Sequence, residues 1–289
     1  MPRALVTGAT GFIGGHLVDV LARAGWEVHA LARTTPPPHP AQIHWLDGSQ
    51  QRLQAILSDV QPDVTFHLAS LFLATHTPEQ AEDLATANIV FPLQLVEAMV
   101  RTGCRRLVNT GTAWQFAETG APLPVNLYAA TKQAFDAILT YYQDAEALSV
   151  VSLRLFDTYG PGDPRRKLIR ILLDAARSGE VLDMSPGEQI VDLTHVDDVV
   201  AAFMTAGQRL ITTPDPLAED WFVSGERQTL RGLVTKVEQA LALSLNVNFG
   251  GRPYRDREVM VPTDPSKKIL PDWRPQRSLA EALPAMIST

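Results

Sequence analysis

Tyr128 and Lys132 stand four residues apart in the segment NLYAATKQAF, a spacing that brings two side chains onto one face of a helix, about 6 Å from each other. A phenol is a weak acid with an ordinary pKa of about 10, and a nearby ammonium favours its phenolate and brings its acidity closer to neutral pH. Such a pair can deliver a proton to the oxygen of a carbonyl undergoing reduction. Thr112, sixteen residues upstream in NTGTAWQF, carries a hydroxyl able to hold that oxygen by a hydrogen bond. The same tyrosine and lysine, taken alone, also describe a packed aromatic beside a solvated amine. What positions them decides between the two.

A second group of residues suits phosphate. TGATGFIGGHL places glycines at 8, 11 and 14, where a tight turn lets backbone amides and the positive end of a helix approach a pyrophosphate. The spacing is one residue longer than the common dinucleotide fingerprint. It follows an apolar strand pattern and opens a helical one, which favours a nucleotide over simple chain reversal. Gly8, Thr10, Gly11, Phe12, Ile13 and Gly14 are therefore assigned to a cofactor. The carboxylate that would bind the ribose hydroxyls of NAD would fall at Ala32; Arg33 follows it, with Thr34, and this pair suits the extra phosphate of NADP. NADP(H) is the expected cofactor, with Asp47 and Gly48 beside its adenine.

These groups need a frame. Short β-branched runs alternate with helical patterns over the first half of the chain, the signature of βαβ units and a parallel sheet. Strands are expected at 4–6, 27–31, 43–46, 64–69, 106–110 and 150–155, and helices at 14–24, 84–101, 128–147 and 168–178. Six parallel strands make a doubly wound α/β (Rossmann) sheet whose ligand crevice lies beyond the carboxyl ends of the strands; Thr110 and Thr112 would reach it. Residues 1–160, rejoined by 190–207, are the expected NADP-binding domain, and 161–189 with 208–289 a smaller substrate-binding lobe. TPPPHP, 35–40, reads as a stiff linker.

The composition narrows the class. A net charge of −7 over 289 residues argues against a nucleic-acid surface. The single cysteine, Cys104, excludes a disulfide framework and points to a reducing, cytoplasmic setting. There is no signal-like start and no apolar run of about 18 residues, so no membrane partner is expected. The seven histidines are scattered, giving no metal-ligand pattern.

With these residues in place, the chain resembles the extended short-chain dehydrogenase/reductases of the epimerase/dehydratase family. The likeness runs from Ala4 to about Pro275, through TGATGFIGGHL, HLAS, Asn88 in ANIVFPLQLVEA, Thr112, YAATK, RLFDTYGPGD, DLTHVDDV and DPSKKILPDWRP. It implies that Ser70 lines the nicotinamide side, with Leu68, Ala69, Asn88, Thr110 and Leu155 around the cofactor. It also implies that Lys132 holds the nicotinamide ribose, and that the two long helices pair in a homodimer. Departures narrow the reaction. Ala113 and Trp114 occupy the positions where the family's dehydratases carry Asp-Glu, and Ala32 the position where its epimerases carry an acid. Cys104 does not supply the Cys/His pair of reductases that also epimerise. The remaining likeness is to nucleotide-sugar 4-ketoreductases of the CDP-paratose synthase type. It implies a nucleotide-diphosphate sugar met by Phe72, Trp114, Asp157 (usually Asn), Lys167 and Leu168 (usually Asn-Leu), and by Arg252 or Arg255 on the pyrophosphate. His195 reads as structural. An epimerase holding NAD tightly and a non-catalytic NADP(H) sensor are the alternatives.

Overall fold

The structure, a computed structural model, describes residues 1–33, 40–266 and 268–287. The cofactor candidate Thr34 and all but the last residue of the 35–40 linker lie outside the described residues.

The chain runs β1 (Arg3–Thr7), α1 (Phe12–Arg23), β2 (Glu27–Ala32), β3 (Gln42–Trp45), α2 (Gln50–Val60), β4 (Val64–His67), α3 (Gln80–Ala85), a π-helical turn (Thr86–Val90) and α4 (Phe91–Arg101). There follow β5 (Arg106–Thr112), α5 (Leu127–Glu146), β6 (Ser149–Leu155), β7 (Asp157–Tyr159), α6 (Leu168–Ser178), β8 (Leu182–Met184), β9 (Ile190–His195) and α7 (Val196–Thr212). The last elements are β10 (Ala218–Val223), β11 (Glu226–Thr229), α8 (Leu230–Leu241), β12 (Val247–Phe249) and α9 (Leu279–Ile287).

The six expected strands join one parallel sheet in the order β6-β5-β4-β1-β2-β3. β1 sits near its centre, and its middle residues Ala4, Leu5 and Val6 are all apolar because both faces are covered. Ala4 and Val6 enter the core under α1 and α7, whereas Leu5 enters the core under α2, α4 and α5. A seventh strand, β10, lies parallel to β6 on its outer side. It comes from within 208–289: this segment returns to the sheet before the chain leaves again. Its AEDWFV sequence hides the strand because two acids interrupt the apolar pattern. Each finds a cation at the sheet edge. Glu219 takes a two-pronged pair from Arg209 at 2.7 and 2.8 Å, and Asp220 meets Arg154 at 2.5 Å.

α2 has no counterpart in the sequence reading. Its buried residues Leu53, Ile56, Leu57 and Val60 follow helical spacing, and Ser49 caps it by accepting from the Arg52 amide. The long helix starts at Gln80, four residues before the expected 84. Pro92 has no N–H to donate back to the carbonyl four residues earlier, at Asn88, and the chain widens into a π turn there. The run Gln80–Arg101 is long and apolar enough, by length and composition alone, to cross a membrane. In this fold it is a crossover helix whose Leu95, Val96, Ala98 and Met99 are buried against α2 and α5.

A second core gathers α6, α8 and α9 around β7, β9 and β11 and the β8–β12 pair. The two cores are fastened by Asp198 at the start of α7. Its carboxylate accepts from the amides of Gln276 and Arg277, and its carbonyl from the buried Trp273 indole, all at 2.9 Å.

Candidate active site

β1 ends at Thr7 and the chain turns sharply into α1. Gly8 has φ +72°, and a Cβ there would lie 2.6 Å from the Ala69 amide nitrogen. A Cβ on Gly14 would lie 2.0 Å from the Gly8 carbonyl oxygen, and one on Gly11 3.2 Å from the same atom. Gly11 closes the turn by donating to that oxygen at 2.9 Å. Because Gly11 is also the N-cap, no side chain satisfies the first-turn amides of α1 (Phe12, Ile13 and Gly14), and Thr10 is exposed at the rim. Backbone donors with no local acceptor at a positive helix end suit an anion, so the cradle fits a dinucleotide's pyrophosphate.

The end of β4 is fixed beside it. The Thr7 hydroxyl accepts from the amides of Leu68 (3.2 Å) and Ala69 (3.1 Å) and donates its one proton to His67 Nδ1 at 2.9 Å. Burial pushes His67 down to about 3, so the ring is neutral. The Thr110 hydroxyl donates to the His67 carbonyl at 2.7 Å and is committed to joining β5 to β4. Asn88, buried in the π turn, accepts from Ser70 Oγ and the Leu71 amide and donates to the Leu71 carbonyl and Thr131 Oγ1, at 2.9 to 3.1 Å. Its placement orients residues 70–71. At the far end of the cradle, Ala32 is buried and Arg33 is exposed. Asp47 is exposed, accepts from Ser49 N and Oγ, and is held below the usual carboxylate range by those bonds. Gly48, at φ +87°, completes that turn.

α5 opens with Asn126 as its cap, accepting from the Ala129 amide at 2.9 Å and donating to the Ala74 carbonyl at 2.9 Å. Tyr128 follows in the first turn and is 8% exposed. The Phe72 ring meets it edge-on at 5.0 Å, and Trp114 lies 5.7 Å beyond Phe72. Burial pushes the phenol up to about 12; the Ser70 hydroxyl and Arg165 act downwards, and Asp157 upwards. The expected lowering by Lys132 is therefore corrected: desolvation outweighs the charges that act on the phenol, and the chain keeps Tyr128 protonated. Lys132, 3% exposed, is pulled down to about 8 by burial, with Asp136 acting against the fall and Arg154 with it. Thr112 is 8% exposed; its hydroxyl oxygen accepts from the Trp114 amide at 3.3 Å, and its own amide donates to Gln115 Oε1 at 2.9 Å. That arrangement uses an acceptor position and leaves the hydroxyl proton for another oxygen. Leu155 pairs with Thr112 in the sheet register and is buried.

β7 and the loop after it supply the opposite wall. Lys167 Nζ lies 2.7 Å from Asp157 Oδ1 and 4.7 Å from the centre of the Phe72 ring, so both residues converge on the tyrosine. Leu168 begins α6 beside them; Asp157, Lys167 and Leu168 line a cavity of about 210 Å³ that reaches Leu193, whereas Phe72 and Tyr128 stand outside its lining. Arg165, absent from the sequence-derived site, stacks 4.9 Å from the Phe12 ring, is gripped by Asp163 at 2.7 and 2.8 Å, and donates to the Thr158 carbonyl at 3.1 Å. The sequence signal that points to it is the short basic run PRRK, 164–167. Arg252 and Arg255 are exposed on the segment after β12, Arg255 lying 3.9 Å from Glu258. Neither is joined to the Tyr128 wall by a hydrogen bond or ion pair among the described residues. His195 caps α7, accepting from the Asp197 amide at 3.1 Å. No cluster of three or more metal-ligating side chains occurs among the described residues.

Comparison with known proteins agrees with this construction. The NAD dependent epimerase/dehydratase family matches residues 4–216. The CDP-abequose synthase of Salmonella typhimurium is 27% identical over 281 residues, covering 94% of this chain and 92% of its own. The UDP-glucose 4-epimerase of Mycolicibacterium smegmatis is 28% identical over 307 residues, covering 97% and 96%. Among solved structures, MoeE5 in complex with UDP-glucuronic acid and NAD superposes with a TM-score of 0.83 at 27% identity, over 99% of this chain and 98% of that one. A parallel sheet with a glycine turn at β1, a buried tyrosine at the head of α5 and a match across most of the chain have one common source: the protein belongs to the NAD dependent epimerase/dehydratase family.

Proposed function

We propose that the protein reduces the 4-keto group of a nucleotide-linked 4-keto-6-deoxy sugar with NADPH, Tyr128 supplying the proton. The observation that carries this reading is the Tyr128 phenol, buried under Phe72 and kept in its proton-donating form. When bound, NADPH supplies the hydride. Thr112 offers its hydroxyl proton to the carbonyl oxygen, and Tyr128 gives its own proton to the same oxygen as the alcohol forms. Ala113 and Trp114 stand beside Thr112 and bring no second acid or base for elimination. The CDP-abequose synthase likeness supports a sugar reductase.

In this reading the glycine turn, residues 68–70 and Lys132 hold the dinucleotide, and Arg33 meets the 2′-phosphate where no carboxylate ends β2. Phe72, Trp114, Asp157 and Lys167 enclose the sugar diphosphate. The main sheet with α7 and β10 is the cofactor domain, and the second core the substrate lobe. Exposed Val90, Leu93 and Tyr141 on the long helices would be covered by a second copy. A lone buried thiol, Cys104, suits a reducing cell interior.

The test is a panel of 4-keto-6-deoxy sugars linked to CDP, dTDP, GDP or UDP, assayed with each cofactor. NADPH is expected to exceed NADH by about tenfold or more in kcat/KM, one charge-assisted contact being worth roughly that factor; a preference for NADH overturns the cofactor assignment. Tyr128→Phe should lower kcat by about 10²- to 10⁴-fold while NADPH affinity stays within about twofold; normal turnover removes Tyr128 from the mechanism. The epimerase likeness supports a second reading, in which the protein is isolated with NAD(H) bound and interconverts sugars without net cofactor use.

A further inference from the structure

We propose that Asp136, Arg154 and Gln115 form a buried positioning lattice that sets the Thr112 hydroxyl and the Lys132 ammonium against each other from behind the crevice. The proposal rests on the reading of those two residues as working groups. Gln115 is fully buried at the end of the short turn after β5. Its Oε1 accepts from the Thr112 amide at 2.9 Å and from Arg154 Nη1 at 2.8 Å, and its Nε2 donates to Asp136 Oδ2 at 2.5 Å. Arg154 Nη1 also lies 2.8 Å from Asp136 Oδ2, while its Nε is held 2.5 Å from Asp220 on β10. Asp136 is one helical turn beyond Lys132 on α5, the same face by spacing. One connected set of bonds thus runs from the catalytic turn, through β6, to the helix that carries the lysine.

The strand makes room for it. A Cβ on Gly111 would fall 2.4 Å from Arg154 Nη1 and 3.0 Å from Gln115 Oε1. Buried ion pairs contribute little net stability, because desolvation consumes most of their attraction; here the set fixes geometry and charge. The groups that face Lys132 act in opposite senses. Asp136, on its own helix, favours the ammonium; Arg154, from β6, opposes it. His67, from β4, is neutral and feels the lysine's charge. Burial pushes the Asp136 carboxyl up, with Arg154 and Gln115 acting against that rise.

The test uses the intact protein and no sugar. The Lys132 Nζ signal, followed by ¹⁵N NMR across pH and assigned with Lys132→Arg, gives the ammonium midpoint directly. Asp136→Asn should lower that midpoint by about one pH unit or more, and Arg154→Gln should raise it, because loss of an attractive and of a repulsive charge act oppositely. Gln115→Leu should leave the midpoint in place and let the Thr112 amide exchange with solvent about tenfold faster or more, its acceptor being gone. Shifts of the same sign in both charge variants, no shift in either, or an unchanged Thr112 amide in Gln115→Leu would overturn the lattice. If the charge variants do not fold, the Gln115→Leu exchange rate decides alone. A wild type inactive on every ketosugar, with these shifts intact, would sink the proposed function and leave the lattice standing. Efficient ketosugar reduction with an unmoved Lys132 midpoint would do the reverse.

Discussion

Around the glycine turn, the proposed binding depends on atoms that are absent: no Cβ at 8 or 14, no capping side chain at 11, and amides left open in consequence. Around Tyr128 it depends on side chains withdrawn from water, where burial moves a phenol up to about 12 and an ammonium down to about 8. The first region fails through steric intrusion and does so nearly completely. The second is tuned by degrees, since each neighbour shifts a proton affinity without closing the site.

That contrast is open to attack. The largest effect is expected from Gly14→Ala, whose methyl would meet a backbone oxygen that has no room to withdraw. NADPH affinity, read by fluorescence titration, should fall by about 100-fold or more, a backbone clash of this kind costing about 3 kcal/mol. Retained affinity would show that the turn is looser than it looks. His67 comes next, because it lies behind both regions through Thr7. Its folded pKa of about 3 lies below the ordinary 6.5 of the unfolded chain, so the unfolded state binds the extra proton between those values. The stability it contributes is complete above pH 6.5 and drains away as pH falls toward 3, at up to about 1.4 kcal/mol per unit. His67→Asn keeps an acceptor for Thr7 without that titration, and urea midpoints should then fall less steeply with acid than in the wild type. Equal slopes would mean the ring is not held as described. The smallest effect is expected from Phe72→Ala. Wetting the phenol should bring its midpoint down by about one unit toward 10, read as the alkaline absorbance change lost in a Tyr128→Phe background. No movement would assign the raised value to other neighbours.

The two regions also differ in how openly the sequence displays them. Glycines 8, 11 and 14 are spaced by the geometry of one local turn, so the cradle is legible from a dozen residues. The Tyr128–Lys132 pair is legible for the same reason, being one turn of helix. The sign of the Tyr128 shift is not, because it depends on Phe72 and Ser70 from the loop after β4, on Asp157 from β7 and on Arg165 from the loop that follows β7. Lys167 illustrates the limit: the sequence offers it, like Asp157, as one residue meeting the sugar diphosphate, and the fold alone shows the two paired at 2.7 Å. β10 was hidden because its acids are neutralised by partners ten and sixty-six positions distant, and α2 because a polar helix with four buried residues looks like a loop when read without its period.

β10 carries one further implication, for synthesis. β6 is complete at residue 155, yet the strand that covers its outer flank ends at residue 223. While the chain is being made, the apolar edge VVSLRL must wait through that interval with Arg154 lacking its Asp220 partner, an invitation to pair with another nascent chain. A ribosome-stalled fragment ending near residue 200 should therefore bind holdase chaperones far more strongly than one stalled some forty residues beyond β10, once that strand has cleared the exit tunnel.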